Sequence, residues 1–167
     1  LINRLGFNNE GIELVKKRIK QEIKEGILGV NIGPNKDTKN QENDFCLGLE
    51  NFFNLVDYIT INISSPNTEG LRDFHEHKKL KNLLSALNKT KKENKTDIPL
   101  LLKISPDIKD NYIAEIADVA LTNNISAIIL TNTTIAYRNN LRDKNKKEKG
   151  GLSGEPLRSL STSIIKK

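Results

Sequence analysis

The chain has 167 residues, 36% of them hydrophobic and 29% charged, which fits one globular domain and excludes a fibrous or low-complexity chain. No apolar run approaches the roughly 20 residues that a transmembrane helix requires. The net charge of +6 arises from 27 basic and 21 acidic residues. Much of the excess lies in two lysine runs, Lys89, Lys91, Lys92 and Lys95, and Lys144, Lys146, Lys147 and Lys149. No aromatic is interleaved with them to stack on bases, so they are expected to be solvated loops and not a nucleic-acid surface.

The chain opens Leu1-Ile2-Asn3-Arg4 with no initiator Met and stops at Lys166-Lys167 inside an expected helix, so both ends read as cut. A first helix is predicted from about Asn9 to Lys24, because Ile12, Val15, Ile19 and Ile23 recur at helical spacing. Asn8 or Asn9 would cap it and Gly26 would end it. A strand follows at 27–32, closed by Gly33-Pro34-Asn35. The next helix covers about Gln41 to Asn54 and contains Cys46, the single cysteine. One cysteine excludes an intrachain disulfide framework and a cysteine-rich zinc site, suits a reducing intracellular compartment, and is expected to be a buried structural thiol. Strands at 58–63, 99–104 and 126–130 alternate with helices at about 76–89 and 110–121. A polar loop from Asn132 to Lys149 precedes Gly150-Gly151-Leu152-Ser153-Gly154, and a last helix starts near Pro156.

Short apolar strands alternating with helices predict an α/β fold with a parallel sheet. Two architectures fit: an open doubly wound sheet, or part of an eight-stranded β/α (TIM) barrel. A whole barrel needs about 250 residues, so about four strands, roughly half of one, would be present.

In a barrel, chemistry sits at the carboxyl ends of the strands. Those ends carry Asn31, then Asn62-Ile63-Ser64-Ser65-Pro66-Asn67, then Lys103, then Thr131-Asn132-Thr133-Thr134. Any one of these fits a turn former or a solvated side chain. Four in succession predict a site, since a polar group placed among apolar residues needs a partner. His75 and His77 fall off the strand ends, so neither a Ser-His-Asp triad nor a metal centre is expected. Neutral hydrogen-bonding groups with one cation suit a planar heterocycle held at its edges, or a sugar or nucleotide.

The segment from Asn62 to Arg72, Asn-Ile-Ser-Ser-Pro-Asn-Thr-Glu-Gly-Leu-Arg, resembles the active-site segment of quinone-type dihydroorotate dehydrogenases. Four further segments match that family in order: Asn3 to Asn8, Leu28 to Gly33, Thr131 to Thr134, and Gly150 to Leu157. The resemblance runs along essentially the whole chain and implies the central part of a β/α barrel carrying FMN, with 1–167 as one incomplete FMN-binding domain. It implies oxidation of dihydroorotate to orotate in pyrimidine synthesis, with a base removing the C5 proton while hydride passes from C6 to the flavin.

By position Ser65 resembles that base; the soluble class of the family has Cys there, so Ser implies the membrane-associated, quinone-reducing class. The resemblance implies FMN contacts from Asn31, Asn62, Lys103, Thr131 and Gly154, with Lys103 stabilising negative charge on the reduced ring. It implies substrate contacts from Asn62, Asn67, Asn132 and Thr133, and a pocket wall from Asn3, Arg4, Leu5, Gly6 and Phe7. The implied partners are dihydroorotate or orotate and a quinone, with no nucleic acid and no metal. The complete enzyme would lie peripherally on the cytoplasmic face of a membrane. Relatives also carry an earlier flavin loop, later phosphate-binding turns and upstream membrane-docking helices, which these 167 residues do not match. Pro34 stands where relatives often have Lys. The alternative expectation is a non-catalytic fragment or decayed remnant unable to bind FMN; a third is an α/β binding module using its basic surface.

Overall fold

Helical crossovers return the chain to the same sheet edge in the same direction, and this is how the alternating pattern becomes a parallel sheet. The computed structural model describes residues 1–21, 25–139 and 141–167. Its elements, in order, are β1 (Ile2–Asn3), α1 (Ile12–Gln21), β2 (Gly29–Ile32), α2 (Gln41–Phe52), β3 (Tyr58–Asn62), α3 (His77–Glu93), β4 (Leu100–Lys103), α4 (Asp110–Thr122), β5 (Ala127–Ile129), β6 (Gly151–Leu152) and α5 (Glu155–Ile165). Short 3₁₀ turns occupy Leu71–His75 and Lys144–Lys147.

Strands β2, β3, β4 and β5 lie side by side in sequence order, all parallel, as in part of a (β/α)8 barrel. The register aligns Ile32 with Ile61, Ile61 with Leu102, and Leu102 with Ile128. This row faces the helices: Ile32 packs against Gly48 of α2, where an added Cβ would lie 3.1 Å from the Ile32 side chain. Side chains alternate across a strand. The opposite face therefore carries Asn31, Thr60, Leu101 and Ala127 in one row and Asn62, Lys103 and Ile129 in the next.

The core lies between the sheet and α2, α3 and α4, filled by Phe45, Leu49, Ile59, Ile61, Leu80, Leu83, Leu84, Leu87, Leu102, Ile116 and Val119. Helix α3 presents Leu80, Leu83, Leu84 and Leu87 at helical spacing, which buries one stripe and leaves its lysines in water. Asn40 caps α2, its side chain accepting from the Asn43 amide at 3.0 Å.

The structure departs from the sequence reading in four places. Helix α1 begins at Ile12, three residues later than expected, after Asn9 accepts from the Gly11 amide at 2.8 Å; the expected Ile23 contact lies outside the described residues. Helix α3 runs on to Glu93, so Lys89, Lys91 and Lys92 are helical and not in a loop. The apolar run ends at Leu87, but Thr90 is buried one turn further on and extends the same stripe, which carries the helix past the lysines. Cys46 is half-buried in α2, and burial pushes its thiol up. Finally, β1 and β6 form an unexpected antiparallel ribbon, Ile2 opposite Leu152 and Asn3 opposite Gly151. Among the described residues no helix is long and apolar enough to cross a membrane.

Candidate active site

The site is built on the polar face of the sheet and the loops that leave its carboxyl edge. Asn31 is exposed in β2, between two glycines that are each covered by an aromatic ring. A Cβ on Gly29 would lie 2.1 Å from the Tyr58 ring, and one on Gly33 would lie 2.2 Å from the Phe7 ring. A larger residue at either position would therefore have to displace a ring, and Phe7 brings the 4–7 segment onto the end of β2. A cavity of about 440 Å³ opens there, lined among others by Arg4, Leu5, Gly6, Phe7, Asn31 and Asn67.

The next row pairs Asn62 with Lys103 across β3 and β4. Asn62 is buried and Lys103 half-buried. Among the described residues the Lys103 ammonium has no hydrogen-bond or ion-pair partner. The Asn62 carboxamide oxygen accepts from the Ser64 hydroxyl at 2.6 Å and from the Ser64 amide at 3.1 Å. The Ser64 hydroxyl in turn accepts from Asn132 Nδ2 at 2.8 Å, and Asn132 Oδ1 accepts from the Thr133 amide at 2.8 Å. These bonds fix which end of each amide is which: Asn62 keeps its NH2 free for a ligand. Ser65 is buried, and its hydroxyl oxygen accepts from the Asn67 amide at 3.2 Å.

The Thr131 hydroxyl donates to the Asn132 carbonyl at 3.0 Å. Thr133 is held from the far side: a Cβ on Gly151 would lie 2.0 Å from its hydroxyl oxygen. Because Gly151 pairs with Asn3, the ribbon links Asn3 to Thr133. Gly150, at φ +129°, passes so close to Asn3 that a Cβ would lie 2.3 Å from the Asn3 carbonyl oxygen. Gly154 stands apart, exposed before α5 at φ +91° with open space where its Cβ would be.

The structure thus gathers the sequence-picked residues into two groups. Arg4 to Phe7, Asn31 and Asn67 share the cavity; Asn62 and Asn132 share a hydrogen-bond chain through Ser64, with Lys103 beside Asn62. The Asn62–Asn132 group offers neutral amides and hydroxyls with the Lys103 cation beside them, and Arg4 and Lys36 add charge at the cavity, a donor set that fits the edge of a planar heterocycle such as a flavin. Among the described residues no three His, Cys, Asp or Glu side chains gather as a metal site.

Sequence reasoning missed His75 and the Arg72–Asp107 pair. His75 does reach a strand end. It is buried, its Nδ1 lies 2.7 Å from the Arg72 carbonyl, and its Nε2 accepts from the Ser105 amide at 3.1 Å, just past β4. That pattern makes Nδ1 the protonated nitrogen, and burial pushes the pKa below 6.5. Arg72 pairs with Asp107 at 3.0 Å. The polar Ser-Pro-Asp run after β4 was the available signal.

Comparison with known proteins gives a consistent answer. The family model described as dihydroorotate dehydrogenase matches residues 1–167. The chain is 43% identical to a dihydroorotate dehydrogenase (quinone) of Christiangramia forsetii, over 99% of this chain and 49% of that protein. It is 45% identical to the protein of the same name from Wigglesworthia glossinidia brevipalpis, over 100% of this chain and 52% of the relative. A crystal structure of DHODH in complex with ferulenol from Eimeria tenella superposes with a TM-score of 0.90 at 36% identity, covering 98% of this chain and 50% of that one. The chain therefore spans about half the length of the curated relatives it matches.

Proposed function

The chain belongs to the dihydroorotate dehydrogenase family, and from that premise we propose that it contributes the substrate face and part of the flavin face of an FMN enzyme. That enzyme oxidises dihydroorotate to orotate in pyrimidine synthesis and passes the electrons to a quinone. The observation that carries this reading is the row of Asn62 beside Lys103, with Ser65 and Asn132 at the adjoining loops.

Asn62, Asn67, Asn132 and Thr133 hold the dihydroorotate ring, whose amide and carboxylate edges need both donors and acceptors. The fixed NH2 of Asn62 points one donor at the ligand without a choice of flip. Ser65 takes the C5 proton at Oγ. A hydroxyl is a weak base, so this step depends on passing its own proton onward and on tight placement. Asn31, Asn62, Lys103, Thr131 and Gly154 would hold FMN, which when bound would supply the acceptor for the C6 hydride. Lys103 would place a positive charge beside the bound ring, where reduction adds negative charge. Arg4 to Phe7 wall the pocket and exclude water. Association of the complete enzyme with the cytoplasmic face of a membrane belongs to the same reading.

The test is Ser65→Ala in the complete enzyme. Turnover with a soluble quinone analogue is expected to fall by about 10² to 10⁴ with bound flavin retained. Full turnover by this variant would overturn the assignment of the base.

A second reading, a fragment that does not bind FMN by itself, is favoured by the outer edges of β2 and β5, which pair with no other strand among the described residues. Stoichiometric flavin bound by these 167 residues alone would rule it out.

A further inference from the structure

We propose that Arg72 and Asp107 form a clamp that positions the proton-abstracting and substrate-holding loops, joining the ends of β3, β4 and β5. This rests on the reading of Ser65, Asn132 and Thr133 given above.

The Arg72 guanidinium sends three N–H groups to three loops. Nε donates to the Ser64 carbonyl at 3.2 Å, Nη1 to Asp107 Oδ2 at 3.0 Å, and Nη2 to the Thr133 carbonyl at 3.4 Å. Ser64 precedes the assigned base, and Thr133 is an assigned substrate contact. The clamp therefore grips the backbone beside both groups while leaving their side chains to the ligand.

Asp107 is held from the opposite side. Its Oδ2 also accepts from the Ile135 amide at 2.8 Å, and its Oδ1 accepts from the buried Thr134 hydroxyl in a short bond. A second route ties the same two residues through their backbones. His75 joins the Arg72 carbonyl to the Ser105 amide, and the Ser105 hydroxyl accepts from the Asp107 amide at 3.1 Å. The pair is mostly shielded, with side chains 23% and 12% exposed, so water competes weakly for these bonds.

A plain ion pair would need only charge and two loops. This arrangement needs the rigid planar fork of arginine, because lysine carries its three donors on a single nitrogen that cannot span three acceptors set around the fork. The bonds from the β3 loop to the β5 loop also run parallel to the direct link from Asn132 to Ser64. Loss of the clamp therefore leaves that link as the direct side-chain tie between the β3 and β5 loops, with the His75 route still joining the β3 and β4 loops.

The experiment uses the complete flavin-loaded enzyme and R72K, D107N, the R72K/D107N double variant and T134V. Four quantities are read: kcat per bound flavin, KM for dihydroorotate, the Kd of orotate, and the isotope effect with substrate deuterated at C5. R72K and D107N are each expected to lower kcat per flavin by about tenfold to a hundredfold and to weaken orotate binding, since a misplacement near 1 Å costs that much. The C5 isotope effect should rise as proton removal becomes harder. The double variant should be no worse than the more damaged single variant, because both break one network. T134V removes the hydroxyl's bond to Asp107 and its acceptance of the Ala136 amide, and should cost about threefold to tenfold.

A purely structural pair would lower flavin content or melting temperature and leave kcat per flavin, orotate affinity and the isotope effect unchanged; that result overturns the proposal. If R72K fails to fold, wild-type values in T134V overturn it equally. A wild-type enzyme that does not turn over dihydroorotate would instead overturn the reading of the function itself.

Discussion

Leu102 and Lys103 are neighbours in β4 and live in different worlds. Leu102 is fully buried in the row of Ile32, Ile61 and Ile128 that meets the helices. Lys103 is half-buried on the other face, beside Asn62. The same contrast separates Ile61 from Asn62 in β3. Alternation along a strand thus divides labour one residue at a time: one face supplies the apolar burial that holds the sheet, and the other is free to carry groups that stability alone would not select.

The largest expected effect on stability is on the helix-facing side. Leu102→Ala removes a buried side chain from a packed row and should cost about 2 to 5 kcal/mol, measured by denaturant unfolding of the complete enzyme. Lys103→Met should change stability by less than about 0.5 kcal/mol while sharply lowering turnover. Equal losses of stability in the two variants would break the comparison.

A smaller effect tests how the loops over the polar face are shaped. Gly151→Ala drives a methyl group into the Thr133 side chain, so Thr133 must move. The expected result is a rise in KM for dihydroorotate of about tenfold to a hundredfold, with a stability loss of about 1 to 3 kcal/mol from overpacking. An unchanged KM would remove Thr133 from the substrate contacts.

The smallest effect is electrostatic. The His75 pKa is lowered from 6.5 by burial, and a proton on Nε2 would face the Ser105 N–H. Between the lowered value and 6.5 the unfolded chain binds more protons than the folded one, so stability rises with pH there. Stability contributed by neutral His75 is present above pH 6.5 and is lost as pH falls below it, by at most about 1.4 kcal/mol per pH unit. Unfolding midpoints between pH 7.5 and 5.5 should show this slope, and His75→Gln should flatten it. A slope unaltered by that substitution would assign it to another group.

Much of the architecture was legible because it is periodic. Four strands, their common direction and the polar groups at their carboxyl ends follow from local apolar runs and the helices between them. The fold class and the family resemblance were legible too, the latter through five ordered segments. What escaped was non-local or too short for periodicity. β1 and β6 have two residues each and pair across almost the whole chain. Arg72 and Asp107 are 35 residues apart, and nothing in either neighbourhood names the other. His75 falls off the strand ends in sequence, and only the fold brings the Ser105 amide to its ring.

The ribbon that joins Asn3 to Gly151 carries a kinetic consequence. Ile2 and Leu152 are 150 residues apart, from 152 minus 2. Closing such a loop in an open chain costs about 4 kcal/mol of entropy by the logarithmic length dependence, whereas neighbouring βα units meet over a few tens of residues. This cost favours assembly of the sheet first, which shortens the gap that the ribbon must span. The wall of the candidate cavity is accordingly expected to close late in folding, once the scaffold beneath it stands.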